Sequence, residues 1–118
     1  MQSKTLHALI IGGGIAGPAL ALFLKKAGIS SSLFEAYPFV EGAGGRLALA
    51  PNGMRVLAAL GLAETVKAKG SLIKECAFRN ASSALLACYP TADPKRFSEP
   101  VTAMSRAALF EALRAGPD

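Results

Sequence analysis

The apolar run Ala8-Leu9-Ile10-Ile11 passes without a break into Gly12-Gly13-Gly14-Ile15-Ala16-Gly17, and this junction constrains the fold more than any other part of the chain. An uninterrupted apolar run of this length predicts a strand buried on both faces. The hexapeptide matches G-x-G-x-x-G with its glycines at Gly12, Gly14 and Gly17. Gly12 permits a tight turn, Gly14 lets a pyrophosphate approach the backbone, and Gly17 lets the next helix pack close to the strand. That helix aims its free N–H groups and the positive end of its dipole at the phosphates. Glu35 lies eighteen residues past Gly17, where an acid at the end of a second strand accepts hydrogen bonds from an adenosine ribose. A glycine hexapeptide alone is a weak signal, with a purely structural turn as the alternative. Strand before, helix after and acid at this spacing together indicate dinucleotide binding.

The stretch 8–24 is seventeen residues without a charge behind Lys4, superficially like a signal peptide or membrane anchor. It falls short of the ~18–20 apolar residues of a span and holds four glycines and Pro18, so no membrane association is expected. At 118 residues the chain makes one domain at most. A hydrophobic share of 52% indicates a globular chain, some of whose apolar surface serves a partner or further sequence. The net charge of +5 is scattered over Lys25-Lys26, Lys67, Lys69, Lys95-Arg96, Arg106 and Arg114. With no basic stripe interleaved with aromatics, it reads as solvated surface plus one or two cofactor contacts rather than a nucleic-acid face. Cys76 and Cys88 form no C-x-x-C, which favours two free thiols in a reducing cytosol over a disulfide. His7, the single histidine, is expected to be a surface or capping residue, and a metal site has too few ligands.

Along the chain, 15–27 predicts a buried helix, apolar almost throughout, with Pro18 tolerated in its first turn and Lys25-Lys26 at its negative end. Residues 32–34 predict a second strand, 37–45 a loop and 47–49 a short strand. Pro51-Asn52-Gly53 opens a helix to about Leu60, with Met54, Leu57 and Leu60 on one face, and 62–69 a second helix. Residues 71–79 and 83–89 flank Asn80-Ala81-Ser82 as a β-hairpin, and 91–100 predicts an exposed loop. Ser105 caps a final helix over 106–115, ended by Gly116-Pro117.

Three blocks occur in order: Gly12 to Gly17 with Glu35; Gly44-Gly45-Arg46-Leu47-Ala48-Leu49-Ala50-Pro51-Asn52-Gly53 leading to Leu57-Ala58-Ala59-Leu60-Gly61-Leu62; and Arg106-x-x-Leu109-x-x-x-Leu113. This order resembles the N-terminal third of the FAD-dependent monooxygenases of the p-hydroxybenzoate hydroxylase type, the class A flavoprotein aromatic hydroxylases. The resemblance spans essentially the whole chain. Its first block is generic to dinucleotide-binding folds, whereas the second and third together are fairly specific.

The resemblance implies an α/β, Rossmann-like βαβ FAD/NAD(P)-binding domain, incomplete and carrying a β-hairpin insertion. Residues 1–118 would be its N-terminal portion, without the substrate domain and C-terminal part. By the same resemblance Gly12, Gly14, Ile15, Ala16 and Gly17 cradle the FAD pyrophosphate, Glu35 holds the adenosine ribose and Ala36 lines the adenine. Gly44, Gly45 and Arg46 approach the ribityl and isoalloxazine end, and Arg106 reaches back to the cofactor, whereas Arg114 is expected to lie off the site. The residue after the ribose-binding acid, often basic in this family, is Ala36 here, followed by Tyr37-Pro38. The implied activity is hydroxylation of a small aromatic or hydrophobic substrate with NAD(P)H and O2 in the cytoplasm. No residue stands out as a catalytic acid, base or nucleophile. Two alternatives stay open: a non-catalytic nucleotide-binding fragment, and another FAD/NAD(P)-dependent oxidoreductase with the same opening unit. Standing alone, the chain is expected to self-associate through an exposed sheet edge and to be inactive.

Overall fold

A computed structural model of the chain describes residues 6–38 and 44–117. β1 (His7–Ile11), α1 (Ala16–Lys26) and β2 (Ser30–Phe34) form the opening βαβ unit. The two strands run parallel, with Leu9 opposite Ser32, Ile10 opposite Leu33 and Ile11 opposite Phe34. β3 (Arg46–Leu49), α2 (Pro51–Ala59), α3 (Ala63–Lys69) and β4 (Ser71–Leu72) follow, then β5 (Glu75–Arg79), β6 (Leu85–Pro90), β7 (Thr102–Ser105) and α4 (Arg106–Ala115). β7 is the centre of an antiparallel sheet ordered β3-β7-β4, and β5 pairs with β6 as a hairpin. The expected Rossmann-like α/β opening with an added hairpin is what the chain forms.

The core lies between α2, α3, β7 and α4. Met54, Leu57, Val66, Met104, Leu109 and Leu113 are its larger buried side chains. Helix spacing brings them together: Met54 and Leu57 share one face of α2, as Leu109 and Leu113 share one face of α4. The segment Leu57-Ala58-Ala59-Leu60-Gly61-Leu62 is a helix stop. Gly61, at φ +80°, donates its N–H to Ala58 O at 2.9 Å, while Leu62 N–H reaches Leu57 O at 2.8 Å. Both bonds satisfy carbonyls at the end of α2, and the buried Leu62 that follows anchors the corner. At the other end of the core, Ser105 Oγ accepts from Ala108 N–H at 3.1 Å and caps α4 as expected.

Several expectations need correcting. β1 is not buried on both faces: Ile10 is buried against α1, but Leu9 and Ile11 are 68% and 82% exposed. Their side of the β1–β2 pair is covered by no element among the described residues. His7 sits on that open side, its ring bridging Ser30 Oγ at 2.7 Å and Ser32 Oγ at 3.0 Å across the strands. α1 is likewise only half covered, with Pro18 buried and Leu20 and Phe23 exposed. The run 71–79 is not one strand. Ser71–Leu72 pairs with β7, and Ile73 N–H donates to Val101 O before the chain turns into the hairpin.

β7 itself lies where the sequence suggested only the approach to a cap. Its signal is the run Val101-Thr102-Ala103-Met104, whose alternate residues Thr102 and Met104 are buried. The loop before it is partly packed rather than exposed, because Glu99 pairs with Lys67 of α3 at 2.8 Å. Cys76 and Cys88 are free and exposed, and the hairpin register turns them to opposite faces, Cys76 opposite Tyr89 and Cys88 opposite Ala77. The hairpin stands away from the core with almost every residue exposed, and the Cα radius of gyration is 17.8 Å. A compact chain of this length would measure about 13–14 Å.

Candidate functional site

The glycine turn takes its shape from three contacts. Gly12 has φ +105° and donates its N–H to Phe34 O at 2.7 Å, tying the exit of β1 to the end of β2. A Cβ on Gly17 would lie 2.0 Å from Gly12 O, so α1 can cross the strand this closely only without a side chain there. Gly13 is buried, and a Cβ there would meet Glu35 Cβ at 2.9 Å. Gly13 was not assigned a role by the G-x-G-x-x-G pattern, where it occupies a free position. Its need for glycine comes from a residue just past the end of β2.

Gly14 differs from Gly13 and Gly17. A Cβ on Gly14 would meet nothing within 4 Å, and Gly14 lines a cleft of about 760 Å³ together with Gly13 and Glu35. Such a volume is within the roughly 300–1,000 Å³ of small-molecule and cofactor sites. Ile15 is the N-cap of α1 and Ala16 its first residue, and this N-terminus has no side-chain cap and no acid in its first turn. The first-turn N–H groups are therefore left for an anion. The side chain of Ile15 itself packs against the core.

Glu35 is held by backbone donors. Its Oε2 accepts from Gly13 N–H at 2.7 Å and its Oε1 from Tyr37 N–H at 2.9 Å. These bonds, that from Tyr37 first, keep its carboxyl below the ordinary carboxylate range. The turn closed on Oε1 brings Tyr37 and Pro38 to the cleft and leaves Ala36 exposed outside it. Ala36 is therefore not a wall of this cleft.

The far side is the first turns of α4, where Arg106, Ala107 and Phe110 line the cleft. Arg106 N–H donates to Gly45 O at 3.0 Å, and a Cβ on Gly44, at φ +105°, would lie 3.2 Å from Arg106 Cβ and Cδ. The structure thus brings Gly44 and Gly45 against Arg106. Arg46 faces Ser105 across β3 and β7 and is exposed, because Leu47 and Leu49 take the inward positions of the strand. It does not line the cleft. Arg114 does, its guanidinium over the Phe110 ring, so the expectation that it lies off the site is corrected. Two helical turns bring it onto the same face of α4 as Arg106. The remaining loop residues, 39–43, lie outside the described residues.

Among the described residues no helix is long and apolar enough to cross a membrane, and no three His, Cys, Asp or Glu side chains gather to hold a metal. The cleft brings together the backbone of Gly13 and Gly14, the Glu35 carboxylate and the permanently charged Arg106, while Gly12, Ile15, Ala16 and Gly17 are not among the residues that line it.

The FAD binding domain family matches residues 5–111 of the chain. The 3-amino-4-hydroxybenzoate 2-monooxygenase of Streptomyces cremeus is 30% identical over 116 residues, which are 96% of this chain and 29% of that protein. An FAD-dependent urate hydroxylase of Klebsiella oxytoca is 33% identical over 75 residues, 64% of this chain and 20% of that enzyme. Among solved structures, Klebsiella pneumoniae HpxO complexed with FAD and uric acid superposes with a TM-score of 0.81 at 26% identity, over 93% of this chain and 28% of that one. The tetrameric form of 2-methyl-3-hydroxypyridine-5-carboxylic acid oxygenase gives 0.80 at 27% identity, over 94% of this chain and 28% of that one. The chain spans less than a third of the length of these relatives.

Proposed function

The chain belongs to the FAD binding domain family, and from that premise we propose that it is the N-terminal portion of the FAD domain of a monooxygenase that hydroxylates a small aromatic or hydrophobic substrate. The observation that carries the proposal is the cleft itself. The open Cβ direction of Gly14, the Glu35 carboxylate and Arg106 converge on it from three different elements. The names of the matched relatives, hydroxylases and oxygenases of ring compounds, support the substrate class.

Each group then has a task. The turn from Gly12 to Gly17, with the first N–H groups of α1 at Ile15 and Ala16, holds the pyrophosphate. Glu35 has lone pairs beyond the two it gives to Gly13 and Tyr37, and these accept from the ribose hydroxyls. Arg106 offers a planar fork of donors to the phosphates or the polar flavin edge. Gly44 and Gly45, clasped to Arg106, let the flavin end approach the backbone, and Arg46 stands beside them on the outer side of β3. Bound FAD supplies the redox chemistry, with NAD(P)H as reductant and O2 as the source of the transferred oxygen atom. The chain's own contribution is binding and orientation, and none of its described residues is assigned as acid, base or nucleophile.

A cytoplasmic location and self-association through the exposed sheet edge belong to the same proposal, the latter supported by β1, which pairs only with β2 among the described residues, and by the exposed Leu9 and Ile11 on it. Titration of FAD into the purified protein tests the site. A saturable change in flavin fluorescence, lost in Gly14→Val, is the expected result. Absence of saturable binding by the parent protein would overturn the proposal.

A further inference from the structure

The turn after Glu35 delivers an aromatic ring to the rim of the cleft. Glu35 accepts from Tyr37 N–H at 2.9 Å and from Gly13 N–H at 2.7 Å, so a single carboxylate fixes the backbone of Tyr37 relative to the glycine turn. Pro38 restricts the chain immediately afterwards. Tyr37 lines the same cleft as Gly14 and Arg106, yet it is 81% exposed. A large ring gains little folding energy at that exposure, so burial does not account for its place. A flat π-face beside an anion cradle is instead what a purine ring stacks on, strengthening nucleotide binding by roughly ten- to a hundredfold.

We infer that Tyr37 is the base platform of this site: its ring stacks on the adenine of the bound dinucleotide, while the glycine turn and Arg106 take the pyrophosphate. The inference rests on the FAD-binding proposal and extends it to the end of the ligand for which Ala36 offers nothing. Stacking is uncharged and tolerant of base identity. The platform therefore favours a purine dinucleotide over flavin mononucleotide, which carries no base, and its contribution is insensitive to salt.

The chain contains two tyrosines, Tyr37 and Tyr89, and no tryptophan. In Tyr89→Phe protein, all tyrosine emission reports Tyr37. ADP and, separately, inorganic pyrophosphate are titrated into this protein and into Tyr37→Ala and Tyr37→Phe variants, with affinities from equilibrium dialysis. ADP is expected to quench Tyr37 emission saturably. Tyr37→Ala should weaken ADP roughly tenfold and leave pyrophosphate unchanged, and Tyr37→Phe should bind ADP like the parent. ADP binding that is equally tight in Tyr37→Ala overturns the platform and leaves the FAD proposal standing. Equal losses of ADP and pyrophosphate in Tyr37→Ala also overturn it, since the residue would then act through the turn. A parent protein that binds neither ligand overturns both.

Discussion

Glu35 Oε2 accepts the Gly13 N–H at 2.7 Å, and the same closeness excludes a side chain at Gly13, whose Cβ would lie 2.9 Å from Glu35 Cβ. The acid at the end of β2 thus shapes the turn after β1 as well as facing the cleft. The proposed ribose contact and the local fold thus share one residue.

That coupling gives the site a defined response to acid. The Tyr37 and Gly13 amides hold the Glu35 carboxyl below its ordinary value, so the folded state favours the carboxylate. The stabilisation is fully present above the ordinary carboxylate range and is lost as pH falls below it, through the lowered native value. FAD affinity should therefore stay flat from neutral pH down to the ordinary carboxylate range and decline only below it. Glu35→Gln should weaken FAD roughly tenfold at neutral pH and remove that decline. An affinity that falls between pH 7 and 6 in the parent would contradict this assignment.

The glycines of the turn should separate into two classes. A Cβ at Gly14 meets no heavy atom within 4 Å, so melting of Gly14→Val should stay near the parent's while FAD affinity drops on the order of 100-fold. Gly17→Ala drives a methyl into Gly12 O and should cost about 1–3 kcal/mol of stability before any ligand is added. Thermal melts with and without FAD distinguish the two, and identical behaviour of the variants would refute the distinction.

On the α4 side, Arg106→Ala should reduce FAD affinity about tenfold, with Arg106→Lys only partly restoring it because the planar fork is lost. Arg114→Ala should have a smaller effect, since Arg114 lies two turns further along and over the Phe110 ring. Arg79 on the hairpin lies outside the cleft and serves as the neutral control. Equal losses for Arg79→Ala and Arg106→Ala would assign the effect to net charge.

Thr102 Oγ1 is buried in the core with no hydrogen-bond partner among the described residues. Thr102→Val removes the unsatisfied hydroxyl at nearly the same volume and should stabilise the protein by about 1 kcal/mol. A denaturant midpoint below the parent's would show that the hydroxyl is satisfied after all.

The open side of the β1–β2 pair predicts concentration-dependent association. Leu9→Lys places a charge at the centre of that side, far from α1, and should shift sedimentation towards the monomer. Unchanged sedimentation would place self-association on another surface.

Local rules sufficed for what depends on neighbours in sequence. The βαβ opening, the helix stop at Gly61, the Ser105 cap and the asymmetry of the glycine turn are all short-range consequences of residue type and spacing. Gly14, Glu35 and Arg106 were legible as candidates for the same reason, each standing at an element boundary. Only the tertiary structure could show that Gly13 must be glycine, because the atom that excludes its side chain belongs to Glu35, just past the end of β2. The same holds for Tyr37 and Arg114, which reach the cleft through a turn closed on a carboxylate and through two helical turns. It holds for β7, whose four residues become a strand by pairing with β3 and β4 on either side. The exposure of Leu9 and Ile11 and of half of α1 was also hidden, because an apolar sequence specifies that a surface should be covered but not what covers it.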